Sequence, residues 1–411
     1  MLNPHKIRED FPILKREIND YPLIYFDSAA TSQKPRQVIA VIKQFYESCN
    51  ANIHRAVYTI SQEASELYED AHEDAAKFIN ADGTEEVIFV RGTTEAINLV
   101  AYAWGLHNLE REDEVLVTLM EHHSNMIPWE IISKIKGFQV KYVEVNDDGT
   151  LNYESFEELI SDRTKIVCLA HVSNVTGVIN DVKRIAKTAH EHDSLVLVDG
   201  AQSVPHLAVD VKDLDVDFLA FSGHKMLGPT GIGVLYGKRE ILDEMEPFHG
   251  GGSMVADVAF DTVTRRCSFS LNDLPWKFEG GTPNICGGVG LMAAMKYLKD
   301  IGMENVREHE EVLTKYAIRR MQECEKVKIY GPKDPSLTCG MIPFTVEGLS
   351  SHDVALFLDS YGVMIRSGFH CAQPLHEKFK LKSSDRASFY IYNTREEIDR
   401  LVEFLKEIEQ F

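Results

Sequence analysis

The sequence predicts an α/β protein, with a mostly parallel sheet in a large domain and a smaller α+β domain toward the C-terminus. Three observations carry this. Short apolar, β-branched runs alternate with amphipathic stretches from about residue 85 to residue 240, the pattern of strands joined by helical crossovers. Several runs are apolar on both faces, as strands lying between two helix layers are. The 411 residues also exceed the ~250–300 at which single cores usually stop growing.

In order, the runs are EEVIFV (85–90), EVLVTLM (114–120), VKYVEV (140–145), KIVCLAHVS (165–173), SLVLVDG (194–200), DFLAFS (217–222) and GVLYG (233–237). Segments such as EAINLVAYAWGL and DVKRIAKTAHEH between them have helical spacing. After about residue 290 the helical stretches GLMAAMKYLKDIG and ENVREHEEVLTKYAIRRMQEC lead into MIPFTVE, HDVALFLDSYG, ASFYIY and EEIDRLVEFLKEIEQF. MIPFTVE and ASFYIY read as strands and the other two as helices. The expected division is an N-terminal segment over 1–20 packing on the small domain, a large domain over 21–295 and a small domain over 296–411. HGGGSM (249–254) and EGGTPN (279–284) read as functional or interface loops.

Composition narrows the function. With 43 Lys+Arg against 64 Asp+Glu the formal charge is −21, a field that repels nucleic-acid backbones and anionic membranes. No stretch approaches the ~18 apolar residues of a spanning helix. The first residues, MLNPHKIREDFPILKREI, do not have the form of an export signal. Seven scattered cysteines form neither a disulfide framework nor a zinc spacing, so no metal is expected and a cytoplasmic location is.

In open α/β sheets ligands sit beyond the carboxyl ends of the strands, so the residues after each run are the candidates. Arg91-Gly92-Thr93-Thr94-Glu95 opens a helix with a glycine and two hydroxyls, a phosphate cradle. Glu121-His122-His123 offers an imidazole that can lie over a flat ligand, and Asp199-Gly200-Ala201-Gln202 puts an acid at a strand end. Ser222-Gly223-His224-Lys225 carries a lysine onto a tight loop rich in Gly and Pro. Each taken singly has an ordinary explanation as a cap or a surface group. Together they suit pyridoxal 5′-phosphate, which needs a lysine for a Schiff base, an acid for its ring nitrogen, donors for its phosphate and a ring stacked on its face. A second constellation, Arg366-Ser367-Gly368-Phe369-His370-Cys371-Ala372-Gln373-Pro374 followed by Arg386, places a cysteine on a polar loop. Such surroundings favour a reactive thiolate. Cys168, inside KIVCLA, is expected in the core. Gly288-x-Gly290-x-x-Ala293 imitates a dinucleotide fingerprint but follows no strand.

The blocks FVRGTTEAINLVA, MEHHSNMIPW, HVSNVTGVIN, VDGAQSVPH, FSGHKMLGPTGIGVLYGK, GGGSM, FEGGTPN and RSGFHCAQP resemble the SufS-type (group II) cysteine desulfurases. Those enzymes belong to the class V aminotransferase family and have the fold-type I architecture of pyridoxal-phosphate-dependent transferases. The resemblance runs from about Phe11 to the C-terminus. It implies a homodimer that takes sulfur from L-cysteine, leaving L-alanine, and passes it from a persulfide on Cys371 to an acceptor protein of the Suf type for iron–sulfur cluster assembly. It implies a Schiff base on Lys225, Asp199 at the ring nitrogen, Gln202 at the ring hydroxyl and His122 on the ring, assisting proton transfers. Thr94, Ser222 and His224 would hold the phosphate beside Thr93, joined by Thr282 from the neighbouring subunit. Asn174 and Arg386 would orient the substrate, Arg386 at its carboxylate, and Arg366 would border the cysteine loop. Many relatives carry two histidines before the cysteine, whereas here Phe369 takes the first place. Selenocysteine lyases and cysteine-sulfinate desulfinases share the fold and cofactor and remain the alternative.

Overall fold

The structure, a computed structural model, describes residues 2–54, 57–332 and 334–410. The first and last residues of the expected domain division lie outside the described residues. At the centre is a seven-stranded sheet: β1 (Val87–Val90), β2 (Glu114–Thr118), β3 (Gln139–Val143), β4 (Thr164–Ala170), β5 (Leu195–Asp199), β6 (Phe218–Ser222) and β7 (Gly233–Gly237), in the order β1-β7-β6-β5-β4-β2-β3. Each strand begins and ends within three residues of the run that predicts it.

Alternate residues of these strands face opposite layers. Val87, Phe89, Leu116, Val167, Val196 and Leu219 join one core, with Ala64, Tyr68 and Ala71 of the helix Thr59–Phe78 and with the helix Ile285–Ile301. Ile88, Val115, Ile166, Leu197 and Ala220 join the other, with Ala96 and Ile97 of the helix Thr93–Leu99 and with Trp129. Burial on both faces is why these strands read as unbroken apolar runs.

The pairings among β2 to β6 are parallel, while β7 runs antiparallel to both β6 and β1. Between β6 and β7 the chain has only the loop 223–232 and no crossover helix, so it must return antiparallel. Gly233 makes that return possible: a Cβ there would lie 2.5 Å from the Phe221 carbonyl oxygen and 2.6 Å from Gly92 Cα. The carboxyl ends of β1, β2, β4, β5 and β6 therefore share one edge of the sheet.

A second, antiparallel sheet holds β10 (Val327–Ile329), β11 (Met341–Val346), β12 (Arg366–Gly368) and β13 (Ser384–Ser388), in the order β10-β11-β13-β12. The helices Met303–Met321, Ser351–Ser360 and Arg395–Ile408 share its core. Here the sequence expectation shifts, because the strand ends at Ser388 and the apolar residues 389–392 leave the sheet. Phe389 stays in the small sheet's core, and 390–392 become a plug toward the large sheet's core: the Tyr390 hydroxyl donates to the Pro205 carbonyl at 2.9 Å, and Tyr392 hydrogen-bonds Ser28 at 2.8 Å. Strand propensity yields to burial between layers.

The hairpin of β8 (Val255–Asp261) and β9 (Arg266–Leu271) has no counterpart among the predicted runs, since it is almost wholly exposed. Near the N-terminus, Phe11 packs on Tyr297 and Tyr392, while Arg8 donates to the Tyr392 carbonyl at 2.8 Å and pairs with Glu397 at 2.5 Å. Ile24–Tyr25 then pairs in parallel with Val363–Met364. No helix of the described residues is long and apolar enough to cross a membrane.

Asp385, in β13, is fully buried with neither carboxylate oxygen hydrogen-bonded, and burial pushes its carboxyl up to about 8. The folded chain therefore keeps a proton that the unfolded chain releases near pH 4. Stability is lost as pH rises toward 8, by up to about 1.4 kcal/mol per pH unit for this group. Asp385→Asn is expected to stabilise the protein at pH 8 by roughly 1–4 kcal/mol and to flatten that slope. Denaturant unfolding of both proteins at pH 5 and pH 8 checks this, and equal slopes would exclude it.

Candidate active site

The strand ends converge on a cavity of about 340 Å³. At the end of β1 the chain turns through Gly92, at φ +155°, into the helix Thr93–Leu99. L side chains rarely adopt that φ, and a Cβ on Gly92 would sit 3.1 Å from Ser222 Oγ, close enough that the serine would have to give way. The Thr93 amide donates to Ser222 Oγ at 2.8 Å, and the two hydroxyls lie 2.7 Å apart. Thr94 adds its hydroxyl 2.7 Å from Ser124 Oγ. Hydroxyls gathered at a helix N-terminus form an anion cradle.

Lys225 follows on the 3-10 turn Gly223–Lys225. Burial lowers its amine to about 8 against the opposing pull of Asp199. Asp199, 6% exposed at the end of β5, accepts from the Ala201 amide at 2.9 Å, and burial raises its carboxyl. Gln202 is anchored by Nε2 donating to the Ala29 carbonyl at 2.7 Å, while its Oε1 is buried without a partner. His224 Nδ1 lies 3.2 Å from the Thr31 hydroxyl, and burial lowers its ring to about 4.

His122 lies past the end of β2. Its Nδ1 accepts from the Ser124 amide at 3.1 Å, which leaves the proton of the neutral ring on Nε2. Burial, then the charges of Lys225 and its neighbours, lower it to about 4, so it is neutral at pH 7. Glu121, fully buried beneath it, accepts from the Ala170 amide at 2.8 Å and from Asn125 Nδ2 at 2.7 Å, and is bonded to Thr118. It ties the ends of β2 and β4 to the turn that carries His122.

The opposite wall is the cysteine loop. Cys371 is exposed at the cavity, at φ +57°, next to His370 at φ +50°. Asn174 Nδ2 donates to the His370 carbonyl at 2.7 Å, and the His123 amide donates to the Cys371 carbonyl at 2.9 Å. Arg386, on β13, donates to the Asn174 carbonyl at 2.6 Å, yet its buried Nε has no partner. Asp27 holds both arginines, with Arg366 Nη2 at 2.7 Å and Arg386 Nη2 at 3.4 Å. Phe369 is 41% exposed and meets His376 edge-on.

Thr93, Thr94, His122, Asn174, Asp199, Gln202, Ser222, His224, Lys225, Arg366, Cys371 and Arg386 all line this one cavity. Thr282 does not. It lines a separate cavity with Arg91, Glu95 and His249. Cys168 is fully buried, and Cys267 is a second exposed thiol, on the hairpin. Sequence reasoning passed over Asp27, Glu121 and Ser124. Asp27 stands just after the short apolar run Ile24-Tyr25-Phe26, so the strand-end rule applied to that run would have found it. Among the described residues, no cluster of His, Cys, Asp and Glu could hold a metal.

The donor set fits a phosphorylated, flat aldehyde. The hydroxyl and amide cradle suits the phosphate, a buried carboxylate stands beyond the amine, and unpaired polar atoms on Gln202 and Arg386 await partners.

Comparison with known proteins agrees. The sequence pattern of the aminotransferase class-V family matches residues 24–401. A cysteine desulfurase of Haloferax volcanii is 51% identical over 97% of this chain and 95% of its own. A probable cysteine desulfurase of Halalkalibacterium halodurans is 48% identical over 100% of this chain and 99% of its own. The apo structure of a cysteine desulfurase from Thermococcus onnurineus superposes with a TM-score of 0.94 at 38% identity, covering 100% of this chain and 99% of that one.

Proposed function

The chain belongs to the class V aminotransferase family, whose cofactor is pyridoxal phosphate, and from that premise we propose that it is a cysteine desulfurase of the SufS type (group II). The observation that carries the reading is Cys371. An exposed thiol on a loop with two positive-φ residues faces Lys225 across one cavity, an arrangement that transamination does not need.

In this reading Lys225 would hold pyridoxal phosphate covalently, and the cofactor would supply a sink for electrons from Cα and Cβ of the bound amino acid. Thr93, Thr94, Ser222 and His224 hold its phosphate, Asp199 its ring nitrogen and Gln202 its ring hydroxyl, while neutral His122 lies on the ring and assists proton transfers. Arg386 binds the substrate carboxylate with Asn174 orienting the amino acid, and Arg366, held by Asp27, borders the cysteine loop. The Lys225 amine takes the Cα proton. The Cys371 thiolate then bonds to the substrate sulfur as the Cβ–S bond breaks, with the bonding pair going to Cβ. Protonation there, and return of a proton from the Lys225 ammonium to Cα, give alanine, and the persulfide stays on Cys371.

The protein acts as a cytoplasmic homodimer in which Thr282 joins the partner's phosphate site, with domains over 21–295 and 296–411 and the segment 1–20 packed on the smaller one. Its persulfide passes to a Suf-type acceptor for iron–sulfur cluster assembly. Incubating the holoenzyme with L-cysteine is expected to yield alanine and one added sulfur per chain, located on Cys371 by peptide mass spectrometry. Alanine without a persulfide would favour a selenocysteine lyase or a cysteine-sulfinate desulfinase.

A further inference from the structure

Two buried side chains outside the cavity act on the cysteine loop. Ser384 opens β13, two residues before Arg386, and His376 lies in the helix Gln373–Lys378. Each is 1% exposed. Ser384 Oγ sits 3.1 Å from His370 Nε2 and 2.9 Å from His376 Nε2, while His376 Nδ1 sits 3.0 Å from the Ala372 carbonyl oxygen.

The direction of every bond follows from one end. A carbonyl oxygen only accepts, so His376 Nδ1 donates. Burial disfavours the doubly protonated ring, which makes His376 Nε2 an acceptor and the Ser384 hydroxyl its donor. The single hydroxyl proton is then spent, so His370 Nε2–H donates to Ser384 Oγ. Neutral His370 keeps its lone pair on Nδ1, and that atom is buried with no partner.

The relay thus grips the loop on both sides of Cys371, through the His370 ring and the Ala372 carbonyl. Between them His370 and Cys371 hold left-handed backbone conformations, which cost energy in residues other than glycine and persist only where the surroundings impose them. We propose that Ser384 and His376 are positioning residues: their relay holds Cys371 in its strained conformation at the cavity and fixes His370 as the Nε2–H form. The proposal rests on the reading of Cys371 as the sulfur-accepting nucleophile.

Ser384→Ala removes the relay and Ser384→Thr keeps its hydroxyl. In the holoenzyme, Ser384→Ala is expected to lower kcat for alanine formation about 10- to 100-fold, the scale of a misplaced reacting group, with KM for L-cysteine little changed. Alkylation of Cys371 by iodoacetamide, measured without substrate by mass spectrometry, is expected to become several-fold faster as the loop is released. Ser384→Thr should restore both values. Wild-type kcat and wild-type alkylation in Ser384→Ala would overturn the proposal, and so would a Ser384→Thr protein as impaired as Ser384→Ala. Should Ser384→Ala fail to fold, His376→Leu removes the acceptor of the Ser384 proton and the hold on the Ala372 carbonyl, and carries the same expectations. If the wild type makes no alanine the functional reading fails, while the alkylation comparison still decides the relay.

Discussion

Lys225→Ala is expected to abolish turnover, by at least about 10⁴-fold, the upper range for loss of a positioned acid–base group. Among the described residues no other lysine lines the cavity, so none of them stands ready to replace its amine. Two demands fall on that amine, bonding to the cofactor's aldehyde and taking the Cα proton, and both require it unprotonated. Burial supplies that form by lowering it to about 8, with Asp199 pulling the other way. The neutral fraction grows as pH rises through 8 and falls below it, so the amine's reactivity should follow the same course. Borohydride reduction of the wild-type holoenzyme should attach the cofactor to the peptide containing Lys225, and the variant should show neither that adduct nor alanine. Alanine at a wild-type rate from Lys225→Ala would remove this lysine from the mechanism.

Cys371→Ser is the second large effect. A serine hydroxyl is a poor nucleophile toward sulfur at neutral pH. The variant should therefore bind L-cysteine and exchange its Cα proton with solvent while forming no persulfide and, with excess cysteine excluded as an external acceptor, almost no alanine in a single turnover. Cα exchange in deuterated water, read beside alanine yield, separates the proton step that Lys225 performs from the sulfur step that Cys371 performs. The other exposed thiol, Cys267 on the hairpin, is the control, and Cys267→Ser should match the wild type in both readouts. Alanine formation unaffected by Cys371→Ser would refute the nucleophile and leave the lyase or desulfinase chemistry.

Most of the large sheet was legible because its strands are buried on both faces, and such strands write themselves as continuous apolar runs whatever surrounds them. The hairpin 255–271 escaped because it is exposed. The residues 389–392 misled because an apolar run states that it is buried, not whether it pairs as a strand or plugs a gap. Site residues on strand ends were readable by one rule of topology, while the role of Glu121, which stands at a strand end but is buried and tied to Thr118, Asn125 and Ala170, was not.

By itself the sequence determined the sheet, the crossovers and which residue types stand at the carboxyl edge, since these depend on local periodicity and chain order. Only the tertiary structure decided the protonation states and the restraints. The lowered Lys225 and the two arginines sharing Asp27 arise from groups far apart in the chain, while the proton on His122 Nε2 and the relay from His370 to Ala372 join near neighbours in an order that only the folded backbone sets. The physical reason is that hydrogen-bond direction and desolvation depend on what lies within a few ångströms, and folding alone sets that distance.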